Sequence, residues 1–174
     1  MCGGASSRMG RSKVDVDIHG RPMITHILDT ASALSSQVFL VGKPSQKTTL
    51  SQYGHTFISD HATTFHPLNG VFAGLEHAKE SFEHVLFLPC DTPFISTEAI
   101  QKLWLHSPSV AIDPSGNIHP LLIHIPISWI ERAQQYLQEE RSMKSFAEPA
   151  RLVTLSHHCL RNLNHPSDLP TPIR

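Results

Sequence analysis

The hydrophobic pattern of the chain predicts strands that alternate with helices. Several short apolar runs, such as Val85-Leu-Phe-Leu88, contain no polar residue, which is typical of strands covered on both faces. Residues 14–18 instead alternate between apolar and acidic positions, which predicts a short strand with one polar face. The predicted strands span residues 14–18, 37–41, 55–59, 84–88, 110–112, 118–125 and 151–155.

Amphipathic helices are predicted between these strands. Apolar residues recur at helical spacing after Pro22, a residue that suits the first position of a helix. Asn69 and Thr97 are expected to cap two further helices. The predicted helices span residues 22–35, 69–81, 97–105, 127–140 and 143–146. This order indicates an α/β fold with a mostly parallel sheet, and we expect residues 1–174 to form a single domain.

Three polar features of the sequence are candidates for a ligand site. Two of them directly follow predicted strands, and the third lies at the start of the chain. Asp60 and Asp91 each come directly after a strand-like run, and a glycine-rich run begins at Gly3. Ligands of such sheets bind outside the carboxyl ends of the strands. We therefore expect these features to converge on one crevice.

Composition excludes several classes of protein. The 174 residues carry a formal net charge of −1 and 40% hydrophobic residues, so no basic patch for nucleic acid is indicated. Three widely separated cysteines without a CxxC pair indicate a reducing compartment. The apolar runs are of strand length and too short to span a membrane. We expect a soluble cytoplasmic protein that binds neither nucleic acid nor membrane.

The run from Met1 to Lys13 is the strongest candidate for chemistry. Gly3 and Gly4 allow a sharp turn and a close approach of the backbone to a ligand. Arg8 and Lys13 add positive charge, and successive backbone N–H groups of such a loop can form an anion-binding nest. A phosphate chain needs all of these features together. The order differs from that of a P-loop, and the alternative is a flexible Gly/Ser-rich tail.

This run resembles the signature Gly-Gly-x-Ser-x-Arg-Met-Gly-x-x-Lys of nucleotidyltransferases, and more narrowly that of the molybdenum cofactor guanylyltransferase family. The matching positions are Gly3, Gly4, Ser6, Arg8, Met9, Gly10 and Lys13. Four later segments resemble the same family in the same order, namely Pro67–Leu75, Cys90–Pro93, His119–Pro120 and Asn162–Leu169. The resemblance therefore spans nearly the whole chain.

The resemblance implies a three-layer, Rossmann-like nucleotidyltransferase fold and a magnesium-dependent reaction. A family member transfers GMP from GTP to a molybdopterin-type cofactor and releases pyrophosphate. The implied ligands are Mg²⁺, GTP and molybdopterin. Implied protein partners are those of molybdenum cofactor biosynthesis and the apoenzymes that receive the finished cofactor.

The resemblance also assigns roles to individual residues. Asp91 is the expected magnesium ligand, because Mg²⁺ prefers one or two carboxylates together with phosphates and waters. Arg8 and Lys13 are expected to act with Asp91 in catalysis by stabilising the α-phosphate and the leaving pyrophosphate. The expected nucleotide- and cofactor-binding residues are Met1, Cys2, Gly3, Gly4, Ser6, Lys13, Asp60, Gly70, Asp91 and Asn164.

Structural roles remain open for three of these side chains. Asp91 could cap the turn before Pro93, and Asp60 could cap a loop instead of contacting a guanine edge. Lys13 could be a solvated cation. Two family positions also differ, since Ser12 stands where the family usually has Asp and Val41 where it often has a polar residue.

The start of the chain departs from the family pattern. The resemblance implies a buried apolar strand directly before the glycine run, but only Met1 and Cys2 precede Gly3. Such a strand would bury several apolar side chains at roughly 1.5–3 kcal/mol each. We therefore expect the first strand of the sheet to be truncated. On this expectation, either the natural chain begins upstream or this form is impaired.

Two other functions compete with guanylyl transfer. The first is a related transferase that uses CTP or another phosphorylated acceptor. The second is a nucleotide-binding protein that has lost catalysis, which the truncated start and Ser12 favour. His119-Pro120 and the Asn162-x-Asn164 pattern favour the guanylyl reaction.

Overall fold

A computed structural model of the chain describes residues 1–2, 15–60, 62, 64–164 and 168. The strands are β1 (Asp17–Ile18), β2 (Arg21–Pro22), β3 (Phe39–Gly42), β4 (Thr56–Ser59), β5 (His84–Phe87), β6 (Ser109–Ile112), β7 (Ile118–Pro126) and β8 (Arg151–Thr154). The helices are α1 (Met23–Ser32), α2 (Lys47–Ser51), α3 (Pro67–Ala78), α4 (Thr97–Trp104), α5 (Ile130–Gln138) and α6 (Met143–Ala147). The predicted order of strands and helices is confirmed, with ends that shift by a few residues.

The starts of two helices differ from the sequence prediction. His66 precedes α3 and its imidazole accepts a hydrogen bond from the backbone of the first turn. Asn69 lies inside that turn and its side-chain amide donates to the carbonyl of Thr64. The hydroxyl of Ser96 caps α4, so Thr97 is the first residue of the helix. Both predicted caps were therefore wrong, because a neighbouring side chain accepts the N-terminal backbone hydrogen bond.

The sheet is less parallel than the strand pattern predicts. Strand β3 pairs in parallel with β4, and β6 pairs in parallel with β8. Strand β7 runs antiparallel to both of its neighbours, β5 and β6. The cause is local, because a short turn through residues 113–117 joins β6 to β7 and two strands joined by a tight turn must be antiparallel. The expectation of a mostly parallel sheet is thus met only in part.

Two helical layers cover the sheet. On one face α3, α5 and α6 pack against β7 through a core that includes Val71, Ile123 and Phe146. On the other face α4 and α1 pack against the same strand through a core that includes Ile100 and Leu122. Adjacent residues of β7 thus enter opposite cores, as the pleat of a strand requires. The three-layer arrangement is confirmed. Within the described ranges, no helix is long and apolar enough to cross a membrane.

A gap separates the two groups of strands. In the described part of the chain β3 pairs with β4, β5 pairs with β7, and no strand lies between β3 and β5. Met1 and Cys2 bridge one end of the gap. The backbone nitrogen of Met1 donates to the carbonyl of Leu88 at 2.9 Å, and that of Cys2 donates to the carbonyl of Val41 at 2.8 Å. Behind them lies a cavity of about 240 Å³, where the sequence leads us to expect a truncated strand.

Gly74 allows α3 to pack closely on the strands beside this gap. A Cβ atom at Gly74 would lie 2.7 Å from Cε1 of Phe87, a core residue that is 4% exposed. We expect Gly74→Ala to lower the free energy of unfolding by about 1–2 kcal/mol, because overpacking outweighs the helix-propensity gain of roughly 1 kcal/mol. Urea denaturation measures the change.

Phe87→Leu provides the control for this clash. The Gly74→Ala/Phe87→Leu double variant should lose less stability than the sum of the two single variants, because the smaller side chain relieves the contact. A Gly74→Ala protein as stable as the parent would contradict the proposed packing constraint.

Candidate functional site

The predicted site residues that the structure describes gather at one edge of the sheet. Asp60 directly follows β4, and its backbone nitrogen donates to the carbonyl of Gly42 at the end of β3. Asp91 lies in the turn after β5. His119 joins them because β7 is antiparallel to β5 and its first residues extend past Phe87, which pairs with Ile123, toward the turn that carries Asp91. Asp60 and Asp91 therefore both lie just after the carboxyl ends of strands, and their convergence with the glycine run on one crevice remains a prediction.

Met1 and Cys2, the two described residues before the glycines, lie at the same edge. The backbone nitrogen of Cys2 donates a hydrogen bond to the carbonyl of Val41 in β3, and the carbonyl of Cys2 accepts one from Nε2 of Gln46 at 2.9 Å. The rest of the run lies outside the described residues, and this includes the expected site residues Gly3, Gly4, Ser6, Arg8 and Lys13. Their roles remain predictions.

Asp91 and Asn164 are brought together by the end of the chain. The backbone nitrogen of Leu163 donates to the carbonyl of Asp91 at 2.9 Å. The next residue, Asn164, donates its backbone N–H to the carboxylate of Asp168 at 2.9 Å. Two motifs that lie far apart along the chain thus border one site.

His119 supplies a titratable group beside Asp91. Burial lowers the pKa of the imidazole, while the charges of Asp113 and Asp91 oppose this effect. Nε2 of His119 lies 3.9 Å from Oδ2 of Asp113, so the two interact as an ion pair only when the ring is protonated. Because the pKa is lowered, the neutral ring predominates at neutral pH.

Asp60 is more extensively engaged than its sequence position suggests. One carboxylate oxygen lies 2.9 Å from Nζ of Lys43, and the other accepts a hydrogen bond from the backbone nitrogen of Ala62 at 3.0 Å. Lys43 also donates to the carbonyls of Ala62 and Thr64. Asp60 therefore acts as a loop cap in this structure. A carboxylate has about four acceptor sites, so the predicted nucleotide contact remains a prediction.

Gly70 faces the first residue of the chain. Its position in α3 is buried, and a Cβ atom there would lie 2.5 Å from Cε of Met1. Glycine at this position therefore leaves room for the Met1 side chain. The group that lies close to Gly70 in this structure is thus part of the protein. The contact of Gly70 with a base remains a prediction.

Cys2 and Cys90 form a buried thiol pair beneath the site. A hydrogen bond from Cys90 lowers the pKa of Cys2 to about 6, and the Met1 ammonium assists, while burial opposes the shift. The same pairing, together with burial, raises the pKa of Cys90. The pairing therefore favours the thiolate form of Cys2 and the thiol form of Cys90, close to the start of the glycine run.

Sequence reasoning missed Lys43, Gln46 and Asp113. Each follows a strand by one to four residues, which is the position where site residues of an α/β sheet are found. The signal was present, but the polar segment 43–52 has no motif that distinguishes a site lysine from a surface lysine. Their partners became visible only in the tertiary structure, where β3 pairs with β4 and β6 pairs with β7.

The structure places Asp91, the expected magnesium ligand, at this edge as a half-buried residue. Within the described ranges no group of three or more His, Cys, Asp or Glu residues could hold a metal ion. A single carboxylate suits Mg²⁺ that is held mainly by substrate phosphates and water, and does not suit a metal enclosed by protein. The donor set thus fits a magnesium ion that arrives with a nucleotide.

The thiol pair provides a test of the local geometry. We expect Cys90→Ala to raise the pKa of Cys2 from about 6 toward or above its ordinary value of 9.0, because the main stabilising hydrogen bond is lost. Ultraviolet thiolate absorbance in a Cys159→Ala background measures this titration. An unchanged titration would contradict the thiol pairing.

The same shift predicts a pH dependence of stability. The pKa of Cys2 is lower in the folded than in the unfolded chain, so its ionisation contributes stability that is complete above about pH 9 and lost as the pH falls through about 6. Urea midpoints of parent and Cys2→Ala proteins, compared across this window, should converge toward the acid side. A gap that stays constant with pH would contradict the prediction.

The Lys43–Asp60 pair provides a second test. Lys43→Met keeps the aliphatic stem but leaves a carboxylate that is 9% exposed without its cation. We expect the free energy of unfolding to fall by about 1–3 kcal/mol, as measured by urea denaturation. Lys79→Met is the matched control, because Lys79 pairs with Glu76 at an exposed position and should change stability by less than about 0.5 kcal/mol.

The double variant Lys43→Met/Asp60→Asn separates lost pairing from lost packing. It should recover part of the stability, since a neutral amide tolerates burial better than an unpaired carboxylate. A double variant less stable than Lys43→Met alone would show that the ion pair is not the cause.

Comparison with known proteins places this geometry in a family. Residues 1–157 match the family model described as "MobA-like NTP transferase domain". A "Molybdenum cofactor guanylyltransferase" of Yersinia pseudotuberculosis is 28% identical over 179 residues, which cover 97% of this chain and 90% of the relative. One of Vibrio parahaemolyticus is 29% identical over 103 residues, which cover 59% of this chain and 51% of the relative. The chain thus spans about half the length of the latter relative.

Solved structures share the fold. "Molybdopterin-guanine dinucleotide biosynthesis protein A" of Archaeoglobus fulgidus superimposes with a TM-score of 0.76 and 22% identity over 96% of this chain and 91% of that chain. The "2-C-methyl-D-erythritol 4-phosphate cytidylyltransferase" of Thermus thermophilus gives a TM-score of 0.68 and 16% identity over 90% and 89%. These likenesses confirm the Rossmann-like nucleotidyltransferase fold. With its match over residues 1–157, the chain belongs to the family of MobA-like NTP transferase domains.

Proposed function

We propose that this protein transfers GMP from GTP to molybdopterin and releases pyrophosphate. The observation that carries the proposal is the meeting of Cys2, Asp91 and Asn164 at the carboxyl edge of the sheet. Cys2 leads into the glycine run, Asp91 belongs to the Cys-Asp-Thr-Pro segment, and Asn164 belongs to the last family segment. The name of the Yersinia relative, which aligns with nearly the whole chain, supports the same reaction.

The reaction requires charge stabilisation more than covalent chemistry. An acceptor phosphate oxygen attacks the α-phosphorus of GTP, and the bond to the pyrophosphate oxygen breaks. The backbone amides of the glycine run would bind the phosphates, and Arg8 and Lys13 would neutralise the charge that develops on the leaving pyrophosphate. Mg²⁺ held through Asp91 would supply further charge neutralisation when bound.

His119 and Asn164 would serve the acceptor side of the site. His119 lies within electrostatic range of Asp91, and its lowered pKa keeps the ring neutral at neutral pH. A neutral imidazole can donate one hydrogen bond without attracting a second anion to the magnesium position. The backbone nitrogen of Leu163 donates a hydrogen bond to the carbonyl of Asp91. The next residue, Asn164, has a side-chain amide that can both donate and accept hydrogen bonds.

Guanine selection would depend on Asp60 and Gly70. A carboxylate at Asp60 can accept two N–H bonds from a guanine edge, which cytosine does not offer in the same arrangement. Lys43 and Ala62 already hold the carboxylate in place. Its remaining acceptor sites would receive the base, and positioning by Lys43 would reduce the side-chain entropy lost on binding.

A nucleotide-binding protein without catalysis is the second candidate. Such a protein would bind GTP but would not release pyrophosphate.

Pyrophosphate release with GTP, Mg²⁺ and a molybdopterin-loaded acceptor tests the proposal. We expect release by the parent protein and a loss of about 100-fold or more in Asp91→Asn, because a neutral amide is a weaker magnesium ligand. Asp29→Asn is the matched control, since its carboxylate is 63% exposed and pairs with Arg21 on the surface. CTP in place of GTP should support little release.

The outcomes separate the candidates. Release that is equal in Asp91→Asn and the parent would contradict the role of Asp91. Release that is faster with CTP would identify the related cytidylyl reaction. Binding of GTP with no release by the parent would favour the second candidate.

A further inference from the structure

Phe65 is an exposed aromatic residue at the edge of the sheet that carries the candidate site. It lies between β4 and α3, and its exposed fraction is 72%. The other large apolar side chains that are exposed in the described part of the chain lie at the end of α4 and in β8, namely Trp104, Leu105 and Leu152. Single exposed apolar residues are common on protein surfaces. The groups around Phe65 distinguish it from the other three.

The ring of Phe65 borders the ion pair between Lys43 and Asp60. Nζ of Lys43 lies 5.4 Å from the centroid of the ring, which is within the range of a cation–π contact. The same nitrogen lies 2.9 Å from Oδ2 of Asp60. The aromatic ring and the carboxylate that is predicted to contact guanine therefore share one ammonium group as a neighbour.

Hydrogen bonds hold the backbone on both sides of Phe65. The carbonyl of Thr64 accepts hydrogen bonds from Nζ of Lys43 at 3.1 Å and from Nδ2 of Asn69 at 3.0 Å. Asn69 is itself buried in the first turn of α3. On the other side, the imidazole of His66 accepts a hydrogen bond from the backbone of the same turn. The ring thus projects from a fixed backbone, which reduces the entropy lost when a ligand orders it.

These groups together fit a flat ring with hydrogen-bond donors along one edge. An exposed aromatic face binds nucleobases by stacking, because every base has a π-face. The carboxylate of Asp60 has acceptor sites beyond those that bind Lys43 and Ala62. An aliphatic ligand would leave these acceptor sites unused. A nucleobase with an N–H edge would use the ring and the carboxylate at once.

We propose that Phe65 is a specificity-determining residue that stacks on the guanine of bound GTP. This inference rests on the proposed transferase function, because it identifies how the base of that substrate is held. Asp60 binds the donor edge of the base, and Phe65 covers its face. The carboxylate selects a base with two adjacent donors, whereas the ring favours a purine over a pyrimidine because a purine offers a larger stacking surface.

Calorimetric titration of the 174-residue protein with GTP and Mg²⁺ tests the proposal without the acceptor. We expect Phe65→Ala to weaken GTP binding by about 10-fold, and Phe65→Leu by nearly as much, because leucine is apolar but has no ring face. Phe65→Trp should bind GTP at least as tightly as the parent. Leu105→Ala is the matched control, since Leu105 is also exposed but lies at the far end of α4. All four variants should unfold at the temperature of the parent, because exposed side chains contribute little to stability.

Tryptophan fluorescence tests the contact itself. We expect GTP to quench the emission of Phe65→Trp saturably, with the dissociation constant found by calorimetry, because a stacked guanine touches the indole ring. Leu105→Trp is the matched control and should show no more quenching than the parent. The parent's own Trp104 and Trp129 lie at the end of α4 and after β7, away from Phe65.

The outcomes distinguish this inference from the proposed function. If the parent binds GTP, equal affinity in Phe65→Ala or Phe65→Leu would overturn the inference alone, and so would unquenched emission of Phe65→Trp at saturating GTP. Absence of GTP binding by the parent would overturn the inference and the proposed function together. Binding that depends on Phe65 without pyrophosphate release to a molybdopterin-loaded acceptor would support the inference and contradict the transferase function.

Discussion

The structure depends on the backbone pairing of Met1 and Cys2 with both groups of strands. Three hydrogen bonds join these two residues to Val41, Leu88 and Cys90. Each contributes about 0.5–1.5 kcal/mol net. In the described part of the chain these three hydrogen bonds form a small link between the two halves of the sheet, and helices α1 and α3 pack against both halves.

The candidate site is built on this junction. Gln46 connects the junction to the site. Its side-chain amide donates a hydrogen bond to the carbonyl of Cys2 and accepts one from the backbone nitrogen of Lys43. Lys43 in turn holds Asp60. On the other side, the turn after β5 carries Cys90 into contact with Met1 and presents Asp91. A change in the spacing of β3 and β5 would therefore move the proposed nucleotide-binding and magnesium-binding residues relative to each other.

The sequence predicted the elements better than their ends or their directions. Continuous apolar runs located β3 and β5, because burial on both faces leaves few polar positions in a strand. The caps at Asn69 and Thr97 were wrong, since several neighbouring side chains could accept the same backbone hydrogen bond. The antiparallel direction of β7 follows from the short turn before it, which the apolar pattern does not record.

The sequence by itself determined the family and the expected edge of the sheet for the site. Glycine spacing and the Cys-Asp-Thr-Pro segment are local features, which can be recognised in the sequence without knowledge of the fold. Only the tertiary structure decided that Lys43 pairs with Asp60 and that Cys2 meets Cys90. These are contacts between residues far apart along the chain, and their geometry depends on how helices and strands pack together.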